Sequence, residues 1–428
     1  MSDRDLPHGA VLAVRRESPV VADVPAAVGD ALDALDLAGR VRPGDTVALT
    51  GGSRGIADGV PALRAVVERV RSLGAEPFLV PAMGSHGGAT AAGQRAVLAG
   101  YGMTPEALGC EVRASMDTVD LGPSPLGLPV LTDRLAHEAD HLLVVNRVKP
   151  HTMFRGPVES GIAKMLVIGL GKHRGAAAAH RAVVDHGWGA VLADLVPVLA
   201  ARTRLLGGVA LVEGHDDRTA LVAPVRGGHV LEDEAPLLER ARGWMPRLPV
   251  AEVDVLLVDR IGKDISGAGL DTDVVGRKHD PSPGGDAPEA TDVRVRVVAV
   301  RGLSPGTHGN ALGIGLADLC RQRVLDAADW AATRTNALTA GHPDAAKAPI
   351  ALRTDGELLT TGLSLIGLRT PADARVLWIR DTLHLDRVWA SRAVLDEAAG
   401  RDDLEVAGPV GPLPLGPDDD LPALLPLG

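Results

Sequence analysis

Three apolar runs, each followed at once by glycine and polar residues, constrain the fold of this chain most. The runs cover residues 45–50, 77–81 and 141–145, and the polar stretches after them cover 51–55, 83–90 and 146–180. An apolar run of this length is typical of a buried strand, and apolar residues at helical spacing follow the first two glycine loops. Strand, glycine loop and helix in succession predict a parallel sheet with helices on its faces. The polar residues at the strand ends are then the expected site.

The remaining elements complete an α/β fold with two domains. Helices are predicted at 58–73, up to about 99, 188–201, 231–244, 311–327 and 388–399, and further strands at 110–114, 208–213, 254–259, 293–300 and 376–379. The composition changes at 245–249, which separates an N-terminal, parallel-sheet, Rossmann-like domain (1–247) from a smaller C-terminal α/β domain (250–428). A surface loop is expected at 280–288, and the active site is expected in the interdomain cleft.

Composition and charge exclude several classes of protein. A net charge of −11 over 428 residues, without a dominant basic patch, argues against a nucleic-acid partner. Cys110 and Cys320 lie far apart without a C-x-x-C pattern, so neither a disulfide framework nor a thiolate metal site is expected. The N-terminus lacks the apolar region of a signal peptide, and no apolar run reaches membrane-spanning length. A cytoplasmic protein without a membrane partner is predicted.

The polar residues after the first two strands each allow two interpretations. Arg54, which follows two glycines and a serine, suits phosphate capture at a helix N-terminus, but it also suits an ordinary solvated turn. His86 has a glycine pair after it, which lets the backbone approach a ligand closely and suits a general base. An ordinary loop histidine fits the same position equally well.

The third strand is followed by the densest set of candidates. His151 comes after Pro150, which restricts the residue before it and favours a fixed turn. Lys164, flanked by apolar residues, is either a snorkelling helix residue or a desolvated amine used for covalent attachment or charge pairing. His180, at an alanine-rich helix start, fits a metal ligand or a plain helix-face histidine.

Several familiar motifs are missing from the sequence. It contains no G-x-S-x-G elbow and no Walker sequence, and Gly169-Leu170-Gly171 lacks the third glycine of a dinucleotide fingerprint. Closely spaced metal-ligand clusters are also missing from the sequence. A metal with a single protein ligand would therefore need a cofactor to supply its other ligands.

The order of these motifs resembles a known family. The matching elements are Ser53-Arg54, Gly84-Ser85-His86, Pro150-His151, the stretch 160–164 and His180, with sixteen residues from Lys164 to His180. Together they resemble the nickel-pincer-nucleotide-dependent lactate racemases, a family of 2-hydroxyacid racemases and epimerases. The resemblance is strong over most of the first domain and weak over the second.

The resemblance implies a cofactor and its ligands. Lys164 would carry the pyridinium-3-thioamide-5-thiocarboxylic acid mononucleotide through a thioamide, and His180 would be the one protein ligand of Ni(II). Further cofactor contacts would come from Ser53, Arg54, Gly55, Gly84 and Ser85, with Arg54 at the phosphate. Gly51 stands where the family often has an acidic residue, so ribose binding is expected to differ.

It also implies a reaction and a substrate class. His86 and His151 would be the acid–base pair on opposite sides of a 2-hydroxyacid, while hydride leaves C2 for the cofactor and returns to the other face. Arg155 and Glu159 favour a substrate other than lactate, such as a sugar acid or another larger hydroxyacid, but the two side chains could also simply pair with each other. Second-domain candidates for binding the substrate carboxylate are Lys263, Asp264, Arg277 and Lys278.

Two other functions remain open. One is a nickel-independent lyase or isomerase on the same fold, with Lys164 as a free cation. The other is a non-catalytic protein that binds an anion or nucleotide, although binding alone does not require the intact histidine pair. The expected partners are the small-molecule substrate and the enzymes that make the cofactor. The sequence leaves the oligomeric state open and allows a homo-oligomer.

Overall fold

A computed structural model describes residues 6–152, 156–277 and 293–425 of the chain. Within these residues the chain forms two compact units. The first unit is Glu17–Met245, and the second unit holds the residues up to Arg16 and those from Pro246 onward. The two units meet in sequence close to the predicted boundary, but the predicted domains counted the N-terminal residues with the first. The predicted loop at 280–288 lies outside the described residues.

The strands, in chain order, are β1 His8–Val14, β2 Thr46–Gly51, β3 Glu76–Pro81, β4 Glu111–Val112, β5 Thr118–Pro123, β6 Pro129–Asp133, β7 His141–Arg147, β8 Leu205–Glu213, β9 Thr219–Arg226, β10 Glu252–Val258, β11 Arg294–Val300, β12 Leu319–Arg321, β13 Ile350–Leu352, β14 Val376–Ile379, β15 Arg387–Ser391, β16 Leu404–Val406 and β17 Gly411–Pro412. The strands predicted at 45–50, 77–81, 141–145, 208–213, 254–259, 293–300 and 376–379 are all confirmed.

The α-helices are α1 Val24–Ala34, α2 Leu37–Arg40, α3 Gly59–Ser72, α4 Ala91–Gly100, α5 Pro105–Leu108, α6 Arg134–Glu138, α7 Ile162–Lys164, α8 Lys172–His186, α9 Trp188–Arg202, α10 Val230–Trp244, α11 Gln322–Asp326, α12 Trp330–Ala340, α13 Asp355–Ser364 and α14 Arg392–Ala398. A π-helical turn, Met165–Gly169, follows α7 directly. In the described part of the chain, no helix combines the length and apolar character needed to cross a bilayer.

The first unit is built on a six-stranded sheet with the order β4-β3-β2-β7-β8-β9. All neighbouring pairs from β4 to β8 are parallel, and β9 is antiparallel to β8. The chain moves outward from β2 to β3 and β4, and then returns to the other side of β2 with β7. This reversal is a topological switch point, where open α/β sheets bind ligands at the carboxyl ends of their strands. The predicted parallel α/β sheet is confirmed.

The central strand β2 shows why its residues form a strand. Val47 and Leu49 pack on one side with α1 and α3, whereas Ala48 faces the other side, toward α9. Because both faces are buried, the strand has the continuous apolar sequence that central parallel strands require. The sheet thereby fixes the positions of the loops that leave its carboxyl edge.

The second unit has its own sheet with the order β13-β12-β11-β10-β14-β15-β1-β16, with β17 paired to β1. The pairs from β13 to β14 are parallel. β15, β1 and β16 then add antiparallel. The N-terminal strand β1 therefore belongs to the core of the second unit.

The helix predicted at 311–327 is wrong. Leu319–Arg321 instead form β12, buried and paired parallel with both β11 and β13, and the α-helix is confined to Gln322–Asp326. Gly313 has a φ of +91°, and a Cβ on Gly315 would lie 1.9 Å from the Asp344 carbonyl oxygen. The apolar spacing of this stretch suits a helix, but the tight turn and the two neighbouring strands outweigh it.

The helix predicted at 388–399 begins too early. Its first part is strand β15, Arg387–Ser391, which pairs with both β1 and β14, and α14 starts only at Arg392. The run Val388-Trp389-Ala390 is β-prone and lies between two partner strands. Pairing with β1, which is distant in sequence, decides the outcome.

Candidate functional site

Three loops with predicted site residues leave the carboxyl ends of neighbouring strands in the first unit. Arg54 follows β2, His86 follows β3, and His151 follows β7. Since these strands are parallel and adjacent in the order β3-β2-β7, their loops emerge along one edge of the sheet. The loops with His86 and His151 thus come from strands on opposite sides of β2.

The loop after β2 carries a half-buried arginine. The Arg54 guanidinium donates to the Ser53 carbonyl oxygen at 3.0 Å and reaches the Ser53 hydroxyl at 3.5 Å. Burial lowers the pKa of Arg54, and the neighbouring Arg147 lowers it further, while Tyr101 acts in the opposite direction. Gly55 is exposed beside it.

Glu213, at the end of β8, supports this loop and was not foreseen from the sequence. One of its carboxylate oxygens accepts a hydrogen bond from the Ala57 amide at 2.8 Å, and the other pairs with Arg147. Strand ends β7 and β8 therefore fix the far side of the Arg54 loop. The pairing joins residues distant in sequence, so no local pattern signals it.

The packing around Gly51 shows why this position holds a glycine and not the acidic residue that the resemblance would suggest. It is buried at the end of β2, and a Cβ there would lie 2.7 Å from Leu98 Cδ2. An acidic side chain at this position would have to displace Leu98 from the core.

The loop after β3 packs against the π-helical turn. Gly84 has a φ of +57°, and its amide donates to the Gly169 carbonyl oxygen at 3.1 Å. A Cβ at Gly84 would lie 3.2 Å from the Ile168 carbonyl oxygen, so glycine permits the close approach. The His86 amide donates to Met83 at 3.1 Å, and the His86 residue is exposed beyond half-buried Ser85.

Lys164 ends a short helix that is tied to the end of β7. The Asn146 side-chain amide donates to the Gly161 carbonyl oxygen at 3.1 Å, and the Lys149 amide donates to Ser160 at 2.9 Å. The pKa of Lys164 is lowered to about 7, chiefly by burial and then by the charge of Arg54, while Glu159 acts in the opposite direction and Lys149 adds to the lowering. The structure thus brings the amine under the influence of two other cations, which favours a bound anion.

Glu159, which was expected to influence the choice of substrate, binds the main chain of His151 and the side chain of Arg242. It is fully buried, and its Oε2 accepts a hydrogen bond from the His151 amide at 2.6 Å. Its Oε1 pairs with Arg242 at 2.6 Å, and Arg242 also donates to the Gly156 carbonyl oxygen at 3.0 Å. The half-buried His151 is therefore held by an ion pair at its backbone.

Glu234 lies beneath the lysine helix and was also missed by the sequence. Its Oε2 accepts from the Ala163 amide at 2.9 Å, and a Cβ on Gly161 would lie 2.1 Å from its Oε1. Burial raises the pKa of Glu234 to about 7, against hydrogen bonds from Ala163 and Ile162 that lower it. Glycine at position 161 is what lets this carboxyl group approach the helix that carries Lys164.

His180 lies in the middle of α8, whereas the sequence suggested a helix start. It is half-buried, and His173, near the beginning of the same helix, is exposed. Across residues 6–152, 156–277 and 293–425, no group of three or more His, Cys, Asp or Glu side chains could hold a metal ion. A metal bound by His180 would take its other ligands from a bound molecule.

The second-unit candidates have local partners. Lys263 Nζ lies 2.5 Å from the Asn336 side-chain oxygen, and Asp264 accepts a hydrogen bond from Ser304. Arg277 pairs with Asp318 at 2.5 Å and donates to the carbonyl oxygens of Leu316 and Arg296. These contacts give Arg277 a structural role. The last second-unit candidate, Lys278, lies outside the described residues, as does Arg155 in the first unit.

Part of the first unit is similar to a known protein family. Residues 61–190 match the family model of the lactate racemase N-terminal domain. The chain is also similar to the solved structure of the lactate racemase apoprotein from Thermoanaerobacterium thermosaccharolyticum, at 13% identity, covering 86% of this chain and 84% of that one, with a TM-score of 0.46. No curated protein sequence matches. The stretch that matches the family model, residues 61–190, covers less than half of the chain and includes His86, His151, Lys164 and His180.

Proposed function

We propose that this protein is a racemase or epimerase of a 2-hydroxyacid that uses a nickel-pincer nucleotide attached to Lys164. The observation that carries the proposal is the Lys164 amine, whose pKa is lowered to about 7, next to Arg54 at the switch point of the sheet. Both the lysine and the two candidate bases lie in the part of the chain that matches the lactate racemase domain. Two histidines, His86 and His151, follow strand ends on either side of β2, and they support isomerase chemistry.

The residues present fit the cofactor. An amine with a pKa of about 7 is partly unprotonated at neutral pH, as a nucleophile that forms a covalent bond must be. Arg54 and Lys149 supply positive charge for its phosphate, with Ser53, Gly55, Gly84 and Ser85 on the adjoining loops. His180 would be the protein ligand of nickel. When bound, the cofactor would supply an acceptor for the hydride at C2 of the substrate.

His86 and His151 would exchange the proton at the substrate hydroxyl oxygen. One takes the proton while the other returns it, because the hydroxyl group is presented from opposite sides in the two stereoisomers. Their loops leave strands on either side of β2, which suits this division of roles. Glu159 would hold His151 in place through its amide.

The proposed substrate is a 2-hydroxyacid, and the contacts of Glu159 bear on its expected size. Because Glu159 is buried in an ion pair with Arg242, it does not support an acid larger than lactate. That preference then depends on Arg155 alone. The roles of Lys263, Asp264, Arg277 and Lys278 in binding the substrate stay predictions.

The test is to produce the protein in the cytoplasm together with the enzymes that make the cofactor. Intact mass should show an adduct that is lost in Lys164→Ala, and purified protein should contain nickel. Lactate, sugar acids and other 2-hydroxyacids should then be compared for inversion at C2, with retention of a C2 deuterium label. Absence of both nickel and the adduct under these conditions would sink the proposal.

The assignment of the metal ligand has a matched control on the same helix. His180→Ala should lose nickel while the adduct on Lys164 persists, whereas His173→Ala should keep both. His86→Ala and His151→Ala should each abolish inversion with nickel still bound. Nickel retained in His180→Ala would overturn the ligand assignment.

A nickel-independent lyase or isomerase is the second candidate. The lowered pKa of Lys164 does not favour the free cation that this alternative assumed, but it leaves an unattached amine that can itself act as a base or nucleophile. Such an enzyme would be active without any adduct. The nickel-independent enzyme would exchange the C2 deuterium with water, whereas the proposed hydride transfer would retain the label.

A further inference from the structure

We infer that Lys172 and Gln94 are positioning residues that hold the loop of His86 against the π-helical turn and α8, which connect Lys164 to His180. The inference deepens the proposed function and rests on it for the role of His86. Lys172 is the first residue of α8, which begins shortly after the π-helical turn, and Gln94 lies on α4. Neither was assigned a role from the sequence.

Lys172 is a fully buried lysine with three polar neighbours. Its Nζ forms an ion pair with Asp133 Oδ2 at 2.8 Å. It also donates hydrogen bonds to the Pro81 carbonyl oxygen at 2.6 Å and to Gln94 Oε1 at 3.3 Å. Its φ of +53° is in the left-handed region, which side chains other than glycine seldom adopt. The buried contacts hold the residue in that conformation.

Gln94 connects the Lys172 ammonium group to the loop after β3. Because its Oε1 accepts from the Lys172 ammonium group, its Nε2 must point the other way. Nε2 donates to the Gly84 carbonyl oxygen at 2.8 Å and reaches the His86 carbonyl oxygen at 3.4 Å. Gln94 is fully buried, so its side-chain amide group does not contact solvent. The main chain on both sides of Ser85 is thereby fixed.

The network joins four separate elements at one loop. Pro81 ends β3, Asp133 ends β6, and Asp133 also caps α6 through the Ala136 amide at 2.8 Å. The Gly84 amide closes the arrangement by donating to Gly169 in the π-helical turn. The loop of His86 is therefore attached to the end of the π-helical turn at Gly169 and, through Gln94, to the first residue of α8.

A buried charge is an expensive way to achieve stability alone. An apolar group of the same volume commonly serves as well or better than a buried ion pair. What the ion pair and the amide add is direction, because each hydrogen bond fixes an angle as well as a distance. Proton transfer needs a base within hydrogen-bond reach of its proton, and a displacement of about 1 Å can lower a rate about 100-fold. The network suits that requirement at His86.

The test replaces Gln94 by an apolar residue of similar length. In loaded enzyme, Gln94→Met should lower kcat by about 10- to 100-fold, with KM, nickel content and the Lys164 adduct unchanged. Gln322→Met, an exposed glutamine on α11, is the matched control and should behave as wild type. An unchanged kcat in Gln94→Met would overturn the inference.

A second measurement does not depend on activity. In unloaded protein with isotope-labelled histidine, Gln94→Met should move the NMR signals of the His86 ring and leave those of His173 in place. If Gln94→Met does not fold, Gln94→Glu takes its place, since it keeps the acceptor for Lys172 and removes only the donors to the loop. A His86 signal that stays at its wild-type position contradicts the inference. Wild-type protein without racemase activity would instead count against the proposed function alone.

Discussion

Lys164 combines burial with two nearby cations, and both lower the pKa of its amine. We expect unloaded protein to be acylated at Lys164 with a midpoint near pH 7. Arg54→Met should raise that midpoint, because removing one cation favours the protonated amine. Peptide mass spectrometry after brief labelling over a pH series measures the effect, with exposed Lys347 as the internal reference for reagent reactivity. A midpoint at the ordinary value of a lysine would show that the amine is not desolvated.

Glu234 makes stability depend on pH in a defined direction. Its pKa is raised from 4.5 to about 7 in the folded state, so the folded protein binds the extra proton between these values. Stability should therefore fall as pH rises through this window, by up to roughly 3 kcal/mol. Glu234→Gln should abolish that fall, because the amide oxygen can still accept from Ala163 without ionising. Urea unfolding at pH 5 and pH 8 measures it.

The control for this experiment lies on the same helix. Glu232 is exposed, and Glu232→Gln should keep the wild-type pH dependence. If Glu234→Gln also keeps it, the buried carboxyl group does not titrate as described.

At the scale of elements, the C-terminal residues are part of the core of the second unit. Arg301 is fully buried and pairs with Asp259 and with Asp355, the latter at 2.6 Å. It also donates to the Pro422 carbonyl oxygen at 2.8 Å, and the Leu425 amide donates to Asp259 at 2.6 Å. The last turns of the chain are thus fixed to the ends of β10 and β11.

Removing the arginine should loosen this segment. Arg301→Met leaves a buried carboxylate without its cation and should cost about 3–5 kcal/mol in the free energy of unfolding. Arg392→Met removes only an exposed ion pair with Asp396, worth about 0.5 kcal/mol or less. Urea unfolding compares the two, and limited proteolysis near residue 422 reports the release of the segment. Equal losses in both variants would contradict the role given to Arg301.

The elements also show what a sequence can and cannot predict. β2, β3 and β7 could be predicted because a strand buried on both faces is apolar throughout. β12 and β15 could not, because their conformation depends on partner strands far away in the sequence. The candidate residues His86, Lys164 and His180 stand out locally. Their supports, such as Lys172 with Asp133, are contacts that only the fold creates.

At the scale of the whole molecule, the chain begins in one unit and then builds the other. β1 lies between β15 and β16, with Ala10 opposite Ala390 and Leu12 opposite Val406. A chain lacking residues 1–16 should lose hydrogen-exchange protection in β15 by more than about tenfold, with β2 and β7 unaffected. A chain lacking only residues 1–5 keeps β1 and is the control. Unchanged protection of Val388 in the longer deletion would refute the dependence.

The position of β2 between β3 and β7 has a consequence for chirality. Two loops flank the end of β2, one from β3 and one from β7. The first carries the imidazole of His86 and the second carries the imidazole of His151. Mirror-image molecules have equal free energies in solution, so their equilibrium constant is one. An enzyme that interconverts them must therefore have the same kcat/KM in both directions. In the proposed reaction, the strand order itself would let a protein of one hand treat both hands of its substrate alike.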